Sequence, residues 1–301
     1  MNESEDQRKL SIPGYELLDI VGIGGMSVVW RAWDQTNQRT VAIKVLNHAF
    51  SARGEDVRAF RCEEQVMEEI DNPGVVKAYD FEFTDGHWYL VMEFVDGYTF
   101  QALLDRKGFL SEQDTLLICE SVAVALDDVW NNHGLVHCDL KPENIMINSS
   151  GVVKLTDLGI AHRFKASALL KEVPEQVTGT PAYISPEHIY GDVELDCRAD
   201  IYSLGATLYH LATGKMIFAE LNNEETMRAH CDENSQAPDP RAVRPGLSEG
   251  FARMLEAMLV KRREGRLQRW QDVYQFALKI ERGEAITPRT TGGASSIALR
   301  A

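Results

Sequence analysis

The sequence predicts an α+β chain in two lobes, a small strand-rich lobe followed by a larger helical one. Short apolar, β-branched runs broken by turn residues occupy residues 12 to 95. The pattern changes after Asp96-Gly97, and longer runs with helical spacing then continue to Arg282. Strands first and helices second is an α+β order, and it leaves a cleft between the two parts.

The elements follow in order. Residues 1 to 11 are expected to be disordered, and Met1 to Leu10, polar with no apolar core, are not expected to act as a secretory signal. Tyr15 to Ile20 and Val28 to Trp33 are expected strands around a glycine-rich turn, and Thr40 to Leu46 a third. Glu55 to Ile70 has helical spacing and is closed by Pro73-Gly74. Val75 to Phe83 and Trp88 to Phe94 are two further strands around Asp85-Gly86. In the second lobe, Ser111 to Asn131 is a long amphipathic helix with Ser111 as N-cap. Ile201 to Ala212 is apolar enough to be buried. Residues 283 to 301, rich in Thr, Ser, Gly and Ala, are expected to be a flexible tail.

Composition narrows the class. The chain has 301 residues, 44% hydrophobic and 26% charged, as a globular protein with a real core has. Its net charge of -15 argues against nucleic acid as the main partner. The five cysteines form no C-x-x-C pair, which disfavours a zinc site or a disulfide framework and fits a reducing cytoplasm. No run approaches the ~18 apolar residues of a membrane span.

Several clusters carry chemistry. Gly22-Ile23-Gly24-Gly25-Met26-Ser27-Val28-Val29 can bring backbone close to phosphates. A strand follows it, where a dinucleotide fold would need a helix. Taken alone it fits a plain hairpin turn equally well. Lys44 ends the apolar run Val41-Ala42-Ile43. Glu63 shares a helix face with Phe60, Met67 and Ile70, and a carboxylate on an apolar face needs a partner. A Lys44–Glu63 ion pair is therefore expected, the alternative being an exposed Glu63 at the edge of that face.

The densest cluster is His137-Cys138-Asp139-Leu140-Lys141-Pro142-Glu143-Asn144. A hairpin follows, Ile145 to Asn148 and Val152 to Leu155 around Ser149-Ser150-Gly151, and it places Asn144 roughly opposite Asp157. Two oxygen-bearing side chains at one end of a hairpin suit magnesium, which takes one or two carboxylates plus substrate phosphates. Asp139 is placed to orient or deprotonate an attacking hydroxyl, and Lys141 to spread charge on a moving phosphoryl group.

These residues resemble the protein kinases, specifically the eukaryotic-like (Hanks-type) serine/threonine kinases of bacteria, over residues 12 to 282. The resemblance implies a bilobal kinase fold, with residues 12–95 and 96–282 as its lobes. It also implies transfer of the γ-phosphate of ATP, with Mg2+, to serine or threonine hydroxyls of protein substrates in the cytoplasm. Val21, Gly22, Gly24, Gly25 and Val29 match the loop over the nucleotide, with Ser27 in place of a third glycine. Ala42, Val29 and Met146 would sandwich adenine, with Met92 as gatekeeper and the Glu93 and Val95 backbone as hinge. Lys44 and Glu63 match the conserved pair, Asp139 the catalytic base, and Asn144 and Asp157 the metal ligands. Asp157-Leu158-Gly159 is similar to Asp-Phe-Gly, and Ser185-Pro186-Glu187 to Ala-Pro-Glu, with Arg266 as partner of Glu187. Asp200 would brace the catalytic loop. Lys141 and Gly179-Thr180-Pro181 resemble the serine/threonine class, in which the threonine touches the catalytic Asp and Lys.

The chain departs from the pattern at Cys138, where the family carries an arginine that gathers a phosphorylated loop. Residues 171–177 also lack a hydroxyl, leaving Ser167 and Thr178 as acceptors. Activity independent of loop phosphorylation is the expectation. Cys138 is expected to be packed and inert, with redox sensitivity as its alternative. A pseudokinase scaffold is disfavoured because Lys44, Glu63, Asp139, Lys141, Asn144 and Asp157 are all present. A small-molecule phosphotransferase is disfavoured by the segment at 179–187.

Overall fold

A computed structural model describes residues 10–47, 67–158, 180–192 and 194–284, with single positions 50, 54, 57 and 61. Its first lobe is built on β1 (Tyr15–Ile23), β2 (Ser27–Asp34), β3 (Arg39–Leu46), β4 (Ala78–Thr84) and β5 (His87–Glu93). They form one antiparallel sheet in the order β1-β2-β3-β5-β4. Between β3 and β4 the described positions Phe50, Gly54, Val57, Arg61 and Met67 to Glu69 are helical.

The two-residue period of a strand sorts the sheet into two faces. Val41, Ile43 and Val45 of β3 join Tyr89 and Val91 of β5 in a core on the outer face, which Ile12 also enters. Ala42 and Lys44 therefore point the other way. Cross-strand partners share a face, and the pairings Lys44 with Val29, Lys44 with Leu90 and Ala42 with Met92 put these five residues on one surface.

The second lobe opens with β6 (Gly97–Thr99), α1 (Phe100–Lys107) and α2 (Glu112–His133). Ser111 caps α2, its hydroxyl accepting from the Asp114 N–H. Gly97 is required where it stands: a Cβ there would lie 1.9 Å from the Ile147 carbonyl oxygen. A 3-10 turn (Pro142–Asn144) then leads into β7 (Ile145–Asn148) and β8 (Val153–Leu155), which complete a sheet in the order β6-β7-β8. The remaining elements are α3 (Pro186–Ile189), α4 (Cys197–Thr213), α5 (Asn223–Cys231), α6 (Pro240–Val243), α7 (Glu249–Met258) and α8 (Trp270–Glu281).

Helix α4 is buried almost throughout, as its composition predicted. Gly205 lets α7 approach closely, because a Cβ there would come within 2.9 Å of Met258 Cβ. The main core runs unbroken from Leu46 and Leu90 of the first lobe through α2 and α4 to Trp270 and Ala277 of α8. That shared core holds the cleft walls in register. No helix among the described residues is long and apolar enough to cross a membrane.

Candidate active site

The turn between β1 and β2 is closed by the Gly24 N–H donating to the Ser27 carbonyl at 2.8 Å. A strand follows, not a helix. The loop leads directly into β2, which carries Val29. At the cleft's edge the Glu93 N–H donates to the Lys77 carbonyl at 2.8 Å. The Glu93 carboxylate pairs with Lys154 of β8 at 2.7 Å. Sequence reasoning missed this tie, which joins residues 61 positions apart.

The loop before β7 is held from below. Asp200, fully buried near the start of α4, accepts from the backbone N–H groups of His137 at 2.6 Å and Cys138 at 2.8 Å. Burial pushes the Asp200 carboxyl up to about 6, against the pull of His137 and those two N–H groups. Cys138 adopts φ 66, a left-handed conformation that is uncommon for a residue with a side chain. Asp157 does the same at φ 59. Strained backbone of this kind concentrates at functional sites and is invisible to pattern analysis. Cys138 is 4% exposed and packs with Val136 and Ala199. Burial, then the charges of Asp200 and Asp139, raise its thiol well above the ordinary range.

Above this brace four side chains converge. Lys141 Nζ lies 2.7 Å from Asp139 Oδ2 and donates to Thr180 Oγ1 at 2.9 Å. The Thr180 hydroxyl donates to Asp139 Oδ1 at 3.2 Å. Asn144 Nδ2 donates to both the Asp139 carbonyl at 2.9 Å and its Oδ2 at 3.0 Å. With Nδ2 so engaged, the Asn144 side chain has its Oδ1 left as a ligand atom.

Register refines the hairpin. Ile145 pairs with Leu155, so Thr156 stands opposite Asn144 and its N–H donates to the Asn144 carbonyl. Asp157 is the next residue, and there Lys44 Nζ meets its Oδ1 at 2.6 Å. Glu63, the partner expected for Lys44, lies outside the described residues, as do Gly159, Ser167, Thr178, Gly179 and the stretch 171–177. Farther down, buried Arg266 meets Glu187 through Nη1–Oε1 at 2.6 Å and Nη2–Oε2 at 3.1 Å.

A family profile described as the protein kinase domain matches residues 15–276. The chain belongs to the protein kinase family. The kinase is similar to the serine/threonine-protein kinase PknA of Corynebacterium glutamicum, with 38% identity over 271 residues, covering 88% of this chain and 55% of that protein. It is similar to PknB of Mycobacterium tuberculosis, with 33% identity over 274 residues, covering 90% of this chain and 43% of that protein. The crystal structure of the Mycobacterium tuberculosis PknI kinase domain superimposes with a TM-score of 0.69 at 26% identity, covering 90% of this chain and 97% of that one. This kinase thus spans about half the length of its curated bacterial relatives.

Proposed function

We propose that the chain is a catalytically active serine/threonine kinase that transfers the γ-phosphoryl group of ATP to serine or threonine hydroxyls of proteins. The observation that carries this reading is the Thr180 hydroxyl held between Asp139 Oδ1 and Lys141 Nζ. A carboxylate and an ammonium about one hydroxyl are the groups this transfer needs. Asp139 orients the acceptor hydroxyl and takes its proton as the oxygen bonds to the γ-phosphorus. The bond from that phosphorus to the β-phosphate oxygen breaks, and ADP leaves. Lys141 balances charge on the group in transit, and Lys44 holds the α- and β-phosphates. Such catalysis is mainly positioning and electrostatics.

Asn144 and Asp157 present an amide and a carboxylate oxygen, a donor set that fits magnesium with phosphate oxygens completing its shell. The ion would supply neutralising charge at the phosphates. The shared face of Val29, Ala42 and Met92, with Met146 from β7 and the turn at Val21, Gly22, Gly24 and Gly25, supports an adenine nucleotide in the cleft. The Glu93 carbonyl and the Val95 backbone would serve as its hinge contacts. Glu63 remains the proposed second partner of Lys44.

Activity independent of loop phosphorylation is part of this reading. Its support is Cys138, buried and carrying no cation, at the position from which an arginine would reach a phosphate. The free cysteines Cys119, Cys138, Cys197 and Cys231 support work in the reducing cytoplasm.

The test is transfer from γ-labelled ATP with magnesium to the chain itself and to myelin basic protein, with Asp139→Asn and Lys44→Met alongside. Label on serine or threonine in the wild type alone is expected. No label from any of the three, with nucleotide binding intact, would point to a scaffold or a small-molecule phosphotransferase.

A further inference from the structure

Lys154 of β8 is 9% exposed, and its Nζ lies 2.7 Å from Oε1 and 2.8 Å from Oε2 of Glu93 at the end of β5. Glu93 is the partner of that ammonium among the described residues. In the β7–β8 pair Lys154 stands opposite Met146, and cross-strand partners share a face. Lys154 thus shares the face of Met146, which is proposed to meet adenine.

Further ties close a ring around the pair. The Glu93 N–H donates to the Lys77 carbonyl at 2.8 Å, and Glu93 Oε2 accepts from the Lys77 N–H at 3.4 Å. The Leu155 N–H donates to the Gly74 carbonyl at 2.8 Å, and the Leu155 carbonyl accepts from the Val76 N–H at 2.9 Å. Residues 74–77, Glu93 and residues 154–155 therefore hold one another. A buried ion pair is a weak source of stability, because desolvating both charges offsets their attraction. What it does set is direction: a buried ammonium facing one carboxylate fixes where that carboxylate stands. The residue so fixed carries the backbone that is proposed to meet adenine. Asp157, the proposed metal ligand, follows on the same run of chain, just past Leu155 and Thr156.

We propose that Lys154 is a positioning residue for the nucleotide: through the Glu93 carboxylate it holds the hinge backbone in the arrangement that receives adenine. This role rests on the reading of the cleft as an adenine-nucleotide site. It assigns Lys154 no contact with the nucleotide and no part in the transfer step. Its effect is to bring the hinge to the ligand already ordered, so that binding does not have to order it.

The experiment measures ADP binding to the full chain by calorimetry, with and without magnesium, and transfer from ATP to myelin basic protein. It compares wild type with Lys154→Met, Lys154→Arg, Glu93→Gln and the Lys154→Met/Glu93→Gln double variant. Lys154→Met is expected to weaken ADP roughly three- to tenfold and to raise the ATP KM alike, with kcat and the acceptor KM held within about twofold. The tightening of ADP by magnesium should keep its size, since Asp157 is untouched. Lys154→Arg keeps the cation and should restore ADP affinity. Glu93→Gln should weaken ADP in the same direction, and the double variant should bind no worse than the weaker single variant, because the two residues act through each other. Unchanged ADP affinity in Lys154→Met would overturn the role, as would losses that simply add in the double variant. A joint fall in kcat, ADP affinity and magnesium tightening that arginine does not restore would also overturn it, as a general loss of structure. A wild type that binds no ADP would sink the nucleotide reading and this role together. A wild type that binds ADP and transfers no label would sink the transfer reading alone, and the ADP affinities would still decide the role of Lys154.

Discussion

Lys44 Nζ lies 2.6 Å from Asp157 Oδ1, which ties β3 of the first lobe to the residue pair that follows β8 in the second. In the proposed reaction these two charges have different tasks, one on phosphate and one on magnesium. Lys44 holding phosphate and Asp157 holding a metal would therefore be drawn apart from this contact. Asp157→Asn is expected to remove most of the magnesium dependence of ATP affinity, since an amide is a weaker ligand than a carboxylate. Calorimetry with and without magnesium checks this, and an undiminished magnesium effect would assign the metal elsewhere.

The Thr180 bridge makes a second prediction. Thr180→Val removes the hydroxyl that joins Asp139 and Lys141 and keeps the volume. Hydrogen bonds to charged groups contribute about 1.5–3 kcal/mol, so kcat should fall roughly ten- to a hundredfold. Thr180→Ser should stay near wild type. Steady-state transfer assays separate the two.

Arg266 is fully buried and pairs with Glu187 through two contacts while also donating to the Val260, Lys261 and Arg198 carbonyls. Removing one partner of a buried pair leaves the other charge uncompensated. Arg266→Met should cost about 3–5 kcal/mol, read by urea unfolding. A cost near that of a surface substitution would show that the pair is dispensable.

Asp200 predicts a pH effect with a definite sign. Burial raises its folded pKa to about 6 from the ordinary 3.8. The folded chain then holds this proton to a higher pH than the unfolded chain, so the stability contributed by Asp200 is full below about 4 and is lost as pH rises through about 6. Asp200→Asn lacks that loss. Its stability deficit relative to wild type should be larger at about pH 5 than at about pH 7.5, measured by denaturant titration. An equal deficit at both would mean the group does not titrate there.

Cys138 gives the last prediction. A buried thiol held in the protonated form does not react readily with peroxide. Inhibition by peroxide, if any, should persist in Cys138→Ser. Transfer rates should also survive phosphatase treatment of the chain, and a large drop would contradict independence from loop phosphorylation.

Much of the site was legible because its residues lie close in sequence. Asp139, Lys141 and Asn144 fall within one turn of loop, and the hairpin after them has an obvious centre at Ser149-Ser150-Gly151. The placement of Asn144 against residue 157 came out one position off, because β7 and β8 pair Ile145 with Leu155. Ala42 and Lys44 could be assigned to one face from strand alternation alone. The link of Glu93 to Lys154 could not, since it joins residues 61 positions apart.

The sequence by itself determined the order of strands and helices, the burial of α4 and the cap at Ser111, because each depends on periodicity or on side chains within a few residues. Only the tertiary structure decided that Lys44 meets Asp157, and that Asp200 accepts from the N–H of Cys138, which adopts a left-handed conformation. Those contacts join residues tens of positions apart, and their geometry follows from how elements pack within the second lobe and, for Lys44 and Asp157, from how a shared core sets one lobe against the other. Local preference in the chain carries no information about that packing.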